Sequence, residues 1–202
     1  MSIVFDDIKT FLPKYLSEEN HKKLFEEISN FPNNLDSRFY TSYLKEENVI
    51  FQGDGIKKLK FADLAKGQFY DSPAIILSNT CDIDPNNQRL FPANICYAPI
   101  FSLKKYQSKL LEQKIKSEQD ILNHINIIRK QRITQIFYLP QGGNLPEECI
   151  VFLDRINHCS ASSIKIDLQS QRLFTLSNYG FYIFMLKLSI HFTRIQEKVD
   201  RG

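Results

Sequence analysis

With 202 residues, 43% of them hydrophobic and 12% aromatic, the chain has apolar material for one substantial core with a small appended part, which excludes both a disordered polypeptide and two full-sized domains. The net charge of +3 is unevenly divided: residues 1–50 hold six basic against nine acidic side chains, and residues 51–202 hold twenty against fourteen. That balance permits a polyanionic partner without demanding one, and it lies far from the charge of committed nucleic-acid binders.

No apolar run approaches the roughly 18–20 residues of a membrane span, and the first ten residues carry acids where a signal peptide carries bases. A cytoplasmic protein without a membrane partner is expected. Cys81, Cys96, Cys149 and Cys159 form no CxxC pair and show no regular spacing, so neither a disulfide framework, a metal site nor a cofactor is expected. His158 and Cys159 are neighbours, but adjacent residues on a strand face opposite sides and do not share a ligand.

In chain order, Ser17 is placed to cap a helix over residues 18–30, with Leu24, Phe25 and Ile28 on one face. Phe31, Pro32, Asn33 and Asn34 end it. Residues 1–36 read as a helical N-terminal extension, and residues 37–202 as the main domain. Phe39, Tyr40 and Tyr43, then Val49, Ile50 and Phe51, are β-favouring on either side of the polar residues 45–48, which predicts a hairpin. Gly53-Asp54-Gly55 reads as a turn or bulge with both glycines at positive φ, and it lacks the spacing of a phosphate loop.

The apolar residues 73–77 predict a buried strand that stops in a polar rim: Ser78, Asn79, Thr80, Cys81 and Asp82. A turn-rich loop carrying Arg89 leads to a second strand over 94–100. Residues 103–133 keep helical spacing, with a break expected between 113 and 120. Lys104, Lys105, Lys109, Lys114, Lys116, Arg129, Lys130 and Arg132 against three acids make this insertion basic. It is either a solvated face or a contact for phosphates. Strands are predicted over 136–139 and 149–156, and a hairpin over 164–168 and 172–176. Ser177 then caps a last amphipathic helix over 178–199, with Phe181, Phe184, Leu188, Phe192 and Ile195 as a core stripe. Lys187, His191, Arg194 and Lys198 line a neighbouring face.

The succession of Gly53-Asp54, the strand over 73–77, Ala98-Pro99-Ile100 and the strand over 150–156 resembles the MazF/PemK (Kid or CcdB-like) toxin barrels, in short pieces covering about half the chain. The resemblance implies an α+β fold built on an SH3-like small β-barrel, here with an N-terminal helical extension, a basic helical insertion and a C-terminal amphipathic helix. It also implies a homodimer and metal-free cleavage of single-stranded RNA. Ser72 stands where the family has an arginine, and Phe101, followed by Ser102, where it has a catalytic serine or threonine. Metal-free cleavage needs a base, a cation and an acid, for which Arg89, Asp82 and His158, with Arg155, are the candidates near the rim.

Three functional readings follow. The first is a bacterial toxin or defence protein of MazF/PemK type that binds or processes nucleic acid, RNA before DNA, through Lys104, Lys105, Lys109, Arg129, Lys130, Arg132, Lys187 and Arg194. The second is a catalytically inactive protein-interaction module of a larger complex, docking through its N-terminal or C-terminal helix. The third is thiol catalysis by Cys81 with Asp82 and His158.

Overall fold

A computed structural model describes residues 17–87, 90–91, 93–164 and 167–193. The chain divides into two compact units, Met1–Asn34 and Leu35–Gly202. In the first, helix α1 (Glu18–Ser29) begins where Ser17 Oγ accepts the Asn20 N–H at 3.3 Å, and Glu18 and Glu19 complement the dipole at its first turn. The Asn34 amide donates to the Glu27 carbonyl at 2.8 Å and closes the turns that follow.

The second unit is a mixed α+β fold on one eight-stranded antiparallel sheet. Its strands are β1 (Tyr40–Thr41), β2 (Gly55–Asp63), β3 (Gln68–Ile76), β4 (Asn94–Ser102), β5 (Ile136–Leu139), β6 (Cys149–Phe152), β7 (Asn157–Ser160) and β8 (Arg172–Leu176). The order is β1-β8-β2-β3-β4-β6-β5, with β7 paired to β4. Strand β4 carries β6 along Ile100 to Ser102 and β7 along Asn94 to Tyr97. The expected strand over 149–156 therefore stops at Phe152, and residues 157–160 beyond it form the separate strand β7.

The run β2-β3-β4-β7 curls. In a flat sheet β2 and β7 would stand about 14 Å apart, three strand spacings. Instead the Ala62 N–H donates to Asn157 Oδ1 at 2.9 Å, and Tyr97 Oη on β4 donates to the Lys60 carbonyl at 2.5 Å. Side chains bridge the gap, while among the described residues no strand ladder closes it, so the sheet remains open. Ile56, Leu59, Phe61, Ile76, Ile95 and Tyr97 fill the inside of the curl.

Among the described residues the α-helices of this unit are α2 (Thr80–Ile83), α3 (Leu103–Gln113), α4 (Glu118–Arg129), α5 (Leu168–Gln171) and α6 (Asn178–Thr193). Ser102 and Ser117 cap α3 and α4, which splits the basic insertion at the expected break. Their apolar faces, among them Leu103, Ile121, Ile125 and Ile128, cover Ile136, Tyr138 and Ile150 of β5 and β6. Burial from both sides explains why β5 reads as an unbroken apolar run. Helix α6 rests on an aromatic chain in which Phe137 lies 5.1 Å from Phe184 and 5.8 Å from Phe39, ring centre to ring centre.

Several expectations are corrected. Residues 39–51 form no hairpin; Tyr40 and Thr41 pair with β8, and residues 49–51 lie outside any strand. Arg172 to Leu176 pairs with β1 and β2; of the expected partner strand over 164–168, Leu168 instead opens a helical turn through Gln171, and residues 165–166 lie outside the described residues. Gly53 has φ +87°, whereas Gly55 opens β2 and is needed for space: a Cβ there would sit 2.3 Å from the Phe174 ring. Phe192 is 58% exposed and leaves the core stripe, while Ile195 lies outside the described residues. Among the described residues no helix is long and apolar enough to cross a membrane.

At Gly180 the backbone of α6 runs close against Phe39. A Cβ there would fall 2.2 Å from the Phe39 carbonyl oxygen, an oxygen already held by the Ser177 N–H at 2.9 Å. Gly180→Ala should therefore cost about 1–3 kcal/mol as an overpacked contact. Urea unfolding measures it, and an unchanged midpoint would mean that the helix can slide without loss.

Candidate functional site

The end of the curled sheet is organised by a buried ion pair. Asp54 is fully buried and Arg172 is 7% exposed; Nε of Arg172 lies 3.1 Å from Asp54 Oδ2. Asp54 also accepts from the Phe51 N–H at 2.9 Å and from the Thr175 hydroxyl at 2.7 Å. Burial pushes its carboxyl upward, against the pull of these donors and of the guanidinium. The other arginine nitrogens donate to the main-chain carbonyls of Leu44, Lys45, Glu47 and Val49. One side chain thus fixes residues 44–49.

That segment walls a cleft of about 540 Å³. Val49, Ile50, Ile83, Ile95, Ile164 and Leu168 give it an apolar floor, and Asn48, Asp84, Asn87 and Ser162 a polar edge. Such a lining can hold a partly apolar ligand but assembles no acid and base around a reacting atom.

The rim lies beside this cleft and outside its lining. Ser78 Oγ accepts the Cys96 N–H at 2.8 Å, Asn79 caps α2 by accepting the Cys81 N–H at 2.9 Å, and Thr80 Oγ1 accepts the Gln52 N–H at 3.0 Å. These hydroxyl and amide groups fasten the chain. Cys81 and Asp82 are exposed on α2, and His158 is exposed on β7 opposite Cys96, two strands from β3. Arg89, expected to act with Asp82 and His158, lies outside the described residues. Among the described residues no group of three or more histidines, cysteines and acids is placed to hold a metal.

The basic residues sort differently. Lys187 is 5% exposed and donates to the Gln131 carbonyl at 2.5 Å, so it is removed from any surface. Burial lowers its ammonium to about 8. Arg129 makes a two-pronged contact with Glu148, at 2.7 and 2.6 Å, and this pair holds the Glu148 carboxyl below its usual range. Arg194 lies outside the described residues. Lys104, Lys105, Lys109, Lys130 and Arg132 remain exposed, and among the described residues none of them forms an ion pair.

Glu148 also shows that Lys104, Lys105, Lys130 and Arg132 share one end of the helical hairpin, with Lys109 following further along α3. Its main-chain oxygen accepts the Leu103 N–H at 3.0 Å, at the start of α3, while its carboxylate holds Arg129, at the end of α4. Lys104 and Lys105 therefore stand near Lys130 and Arg132. Arg155, exposed beside this face, lies 4.4 Å from the ring centre of Phe152.

The Arg172 knot and the Tyr106–His124 pair within the hairpin, hydrogen-bonded at 3.0 Å, escaped the sequence reading. Two polar residues, Arg172 and Thr175, in a short and mostly apolar strand were the signal of the first; two aromatic residues on successive amphipathic helices were the signal of the second. The molecule is a mixed α+β protein with an open antiparallel sheet and a basic helical hairpin. Compared with models of known families and with curated proteins, the chain matches none.

Proposed function

We propose that this protein binds single-stranded nucleic acid, RNA before DNA, on the basic end of the α3–α4 hairpin, as a MazF/PemK-like barrel protein of the bacterial toxin or defence kind. The observation that carries the reading is the group Lys104, Lys105, Lys109, Lys130 and Arg132, exposed and without ion-pair partners among the described residues. Lys104 and Lys105 also occupy the first turn of α3, which contains no acid. Cations there oppose the helix dipole, and a bound phosphate would relieve both. The curl of β2-β3-β4-β7, bridged by Tyr97 and Asn157, supports the SH3-like reading of the scaffold. Strand cleavage is not part of the proposal, because Asp82 and His158 stand on separate elements away from the basic end.

Titration of a fluorescent oligouridylate against salt tests it. Each phosphate contact contributes about 0.7 to the slope of log K against log salt for a single strand. Exchanging Lys104, Lys105 and Lys109 together for Gln should lower that slope by about 2. Absence of binding at low salt would overturn the reading.

A further inference from the structure

The α3–α4 hairpin holds a second cleft, of about 460 Å³, within the range of about 300–1,000 Å³ usual for ligand pockets. Leu110 and Ile121 give it apolar walls, and Tyr106 and His124 close one end. Tyr106 Oη and His124 Nε2 are 3.0 Å apart, and their ring centres 5.9 Å. Phe152 meets the Tyr106 ring edge-on at 5.7 Å and fixes it from behind. Burial holds the His124 imidazole below its usual range and raises the Tyr106 phenol, so both rings are neutral near pH 7. Each keeps a further hydrogen-bonding position besides the one it uses on the other.

Charge surrounds this neutral end. Tyr106, Leu110 and Gln113 form the α3 stripe that lines the cleft, and Lys105 and Lys109, four residues apart, run along one side of that stripe. Lys116 stands at the mouth. The acid there, Asp120, accepts from the Ser117 hydroxyl at 2.7 Å as part of the α4 cap. A planar polar-edged ligand bearing an anion on one side matches this arrangement.

We propose that the cleft receives one unstacked base of a single-stranded nucleic acid, whose neighbouring phosphates lie along Lys105, Lys109 and Lys116. The proposal rests on the nucleic-acid reading above and adds to it the place where a base is gripped. A duplex keeps its bases stacked and is excluded from the cleft, whereas a single strand offers them to aromatic side chains.

Three probes separate the contributions: a fluorescent ten-residue oligouridylate, a phosphodiester chain of equal length without bases, and a duplex of the same length, all titrated at low salt. The protein should bind the oligouridylate about tenfold or more tightly than the abasic chain, as one well-stacked base allows. It should also prefer the oligouridylate to the duplex. His124→Ala should bring affinity for the oligouridylate down to that for the abasic chain. Tyr106→Phe, which keeps the ring and the packing, should reduce the preference partway. Joint exchange of Lys105 and Lys109 for Gln should weaken both single-stranded probes equally. Equal affinity of the unaltered protein for the oligouridylate and the abasic chain, or a preference that survives both ring substitutions, would overturn the base-gripping proposal and leave phosphate binding standing. If the unaltered protein binds none of the three, the nucleic-acid reading falls and this proposal with it.

Discussion

Arg172→Met is expected to lower the unfolding free energy by about 3–5 kcal/mol, the loss typical when one member of a buried ion pair is removed. Two consequences combine. Asp54, fully buried, loses its counter-charge, and the carbonyls of Leu44, Lys45, Glu47 and Val49 lose the guanidinium that gathers them. Burial already raises the Asp54 carboxyl, and removal of Arg172 leaves that push less opposed. A carboxyl raised in the folded state binds more protons there than in the unfolded chain, so the variant gains stability as pH falls toward the usual carboxyl value. The deficit should be largest near neutrality and should shrink toward about pH 4. Urea unfolding at several pH values measures this, and limited proteolysis should cut residues 44–49 faster in the variant. A loss below about 1 kcal/mol, typical of an exposed pair, would contradict the burial of the knot.

What was legible in the sequence was local. Ser17 and Ser177 each stand before a helix that they cap, and within the apolar run 73–77 residues 74–76 are buried where they meet β4. What was not legible depends on residues far apart in the chain. Arg172 reaches Asp54 across 118 residues and Leu44 across 128, and its contacts hold residues 44–49 outside any strand. Asn157 to Ser160 has no strand pattern of its own; it forms β7 because β4 offers it an edge. The rim residues were chemically suggestive, yet Ser78, Asn79 and Thr80 are engaged by backbone N–H groups, an ordinary use of small polar side chains where a strand ends. On the candidate interface, spacing alone identified the lysines of α3 but did not separate exposed Lys109 from Arg129, whose partner Glu148 lies 19 residues on.

Lys187 gives the clearest electrostatic test of that distinction. Helical spacing puts it in line with His191 and Arg194, but in the fold it is 5% exposed and donates to a neutral carbonyl, that of Gln131, at 2.5 Å. The Gln131 side chain in turn accepts the Tyr138 N–H at 3.0 Å and donates to the Tyr138 carbonyl at 2.6 Å, so the lysine links α6 to the edge strand β5. Desolvation lowers the ammonium from its usual 10.5 to about 8. A lysine with a lowered folded value gives up its proton earlier in the native protein than in the unfolded one, so between about pH 8 and 10.5 the unfolded chain binds more protons. Stability contributed by this group must therefore rise with pH across that window, by about 3 kcal/mol in all. Cys149, which burial raises to about 11, pulls the other way above pH 9, but it is common to both proteins when the native chain is compared with Lys187→Met. The difference between their urea-unfolding free energies should shift by about 3 kcal/mol toward the native chain from pH 8 to pH 10.5. Parallel stability curves would mean that the ammonium is hydrated, and would return Lys187 to the surface cations available to phosphate.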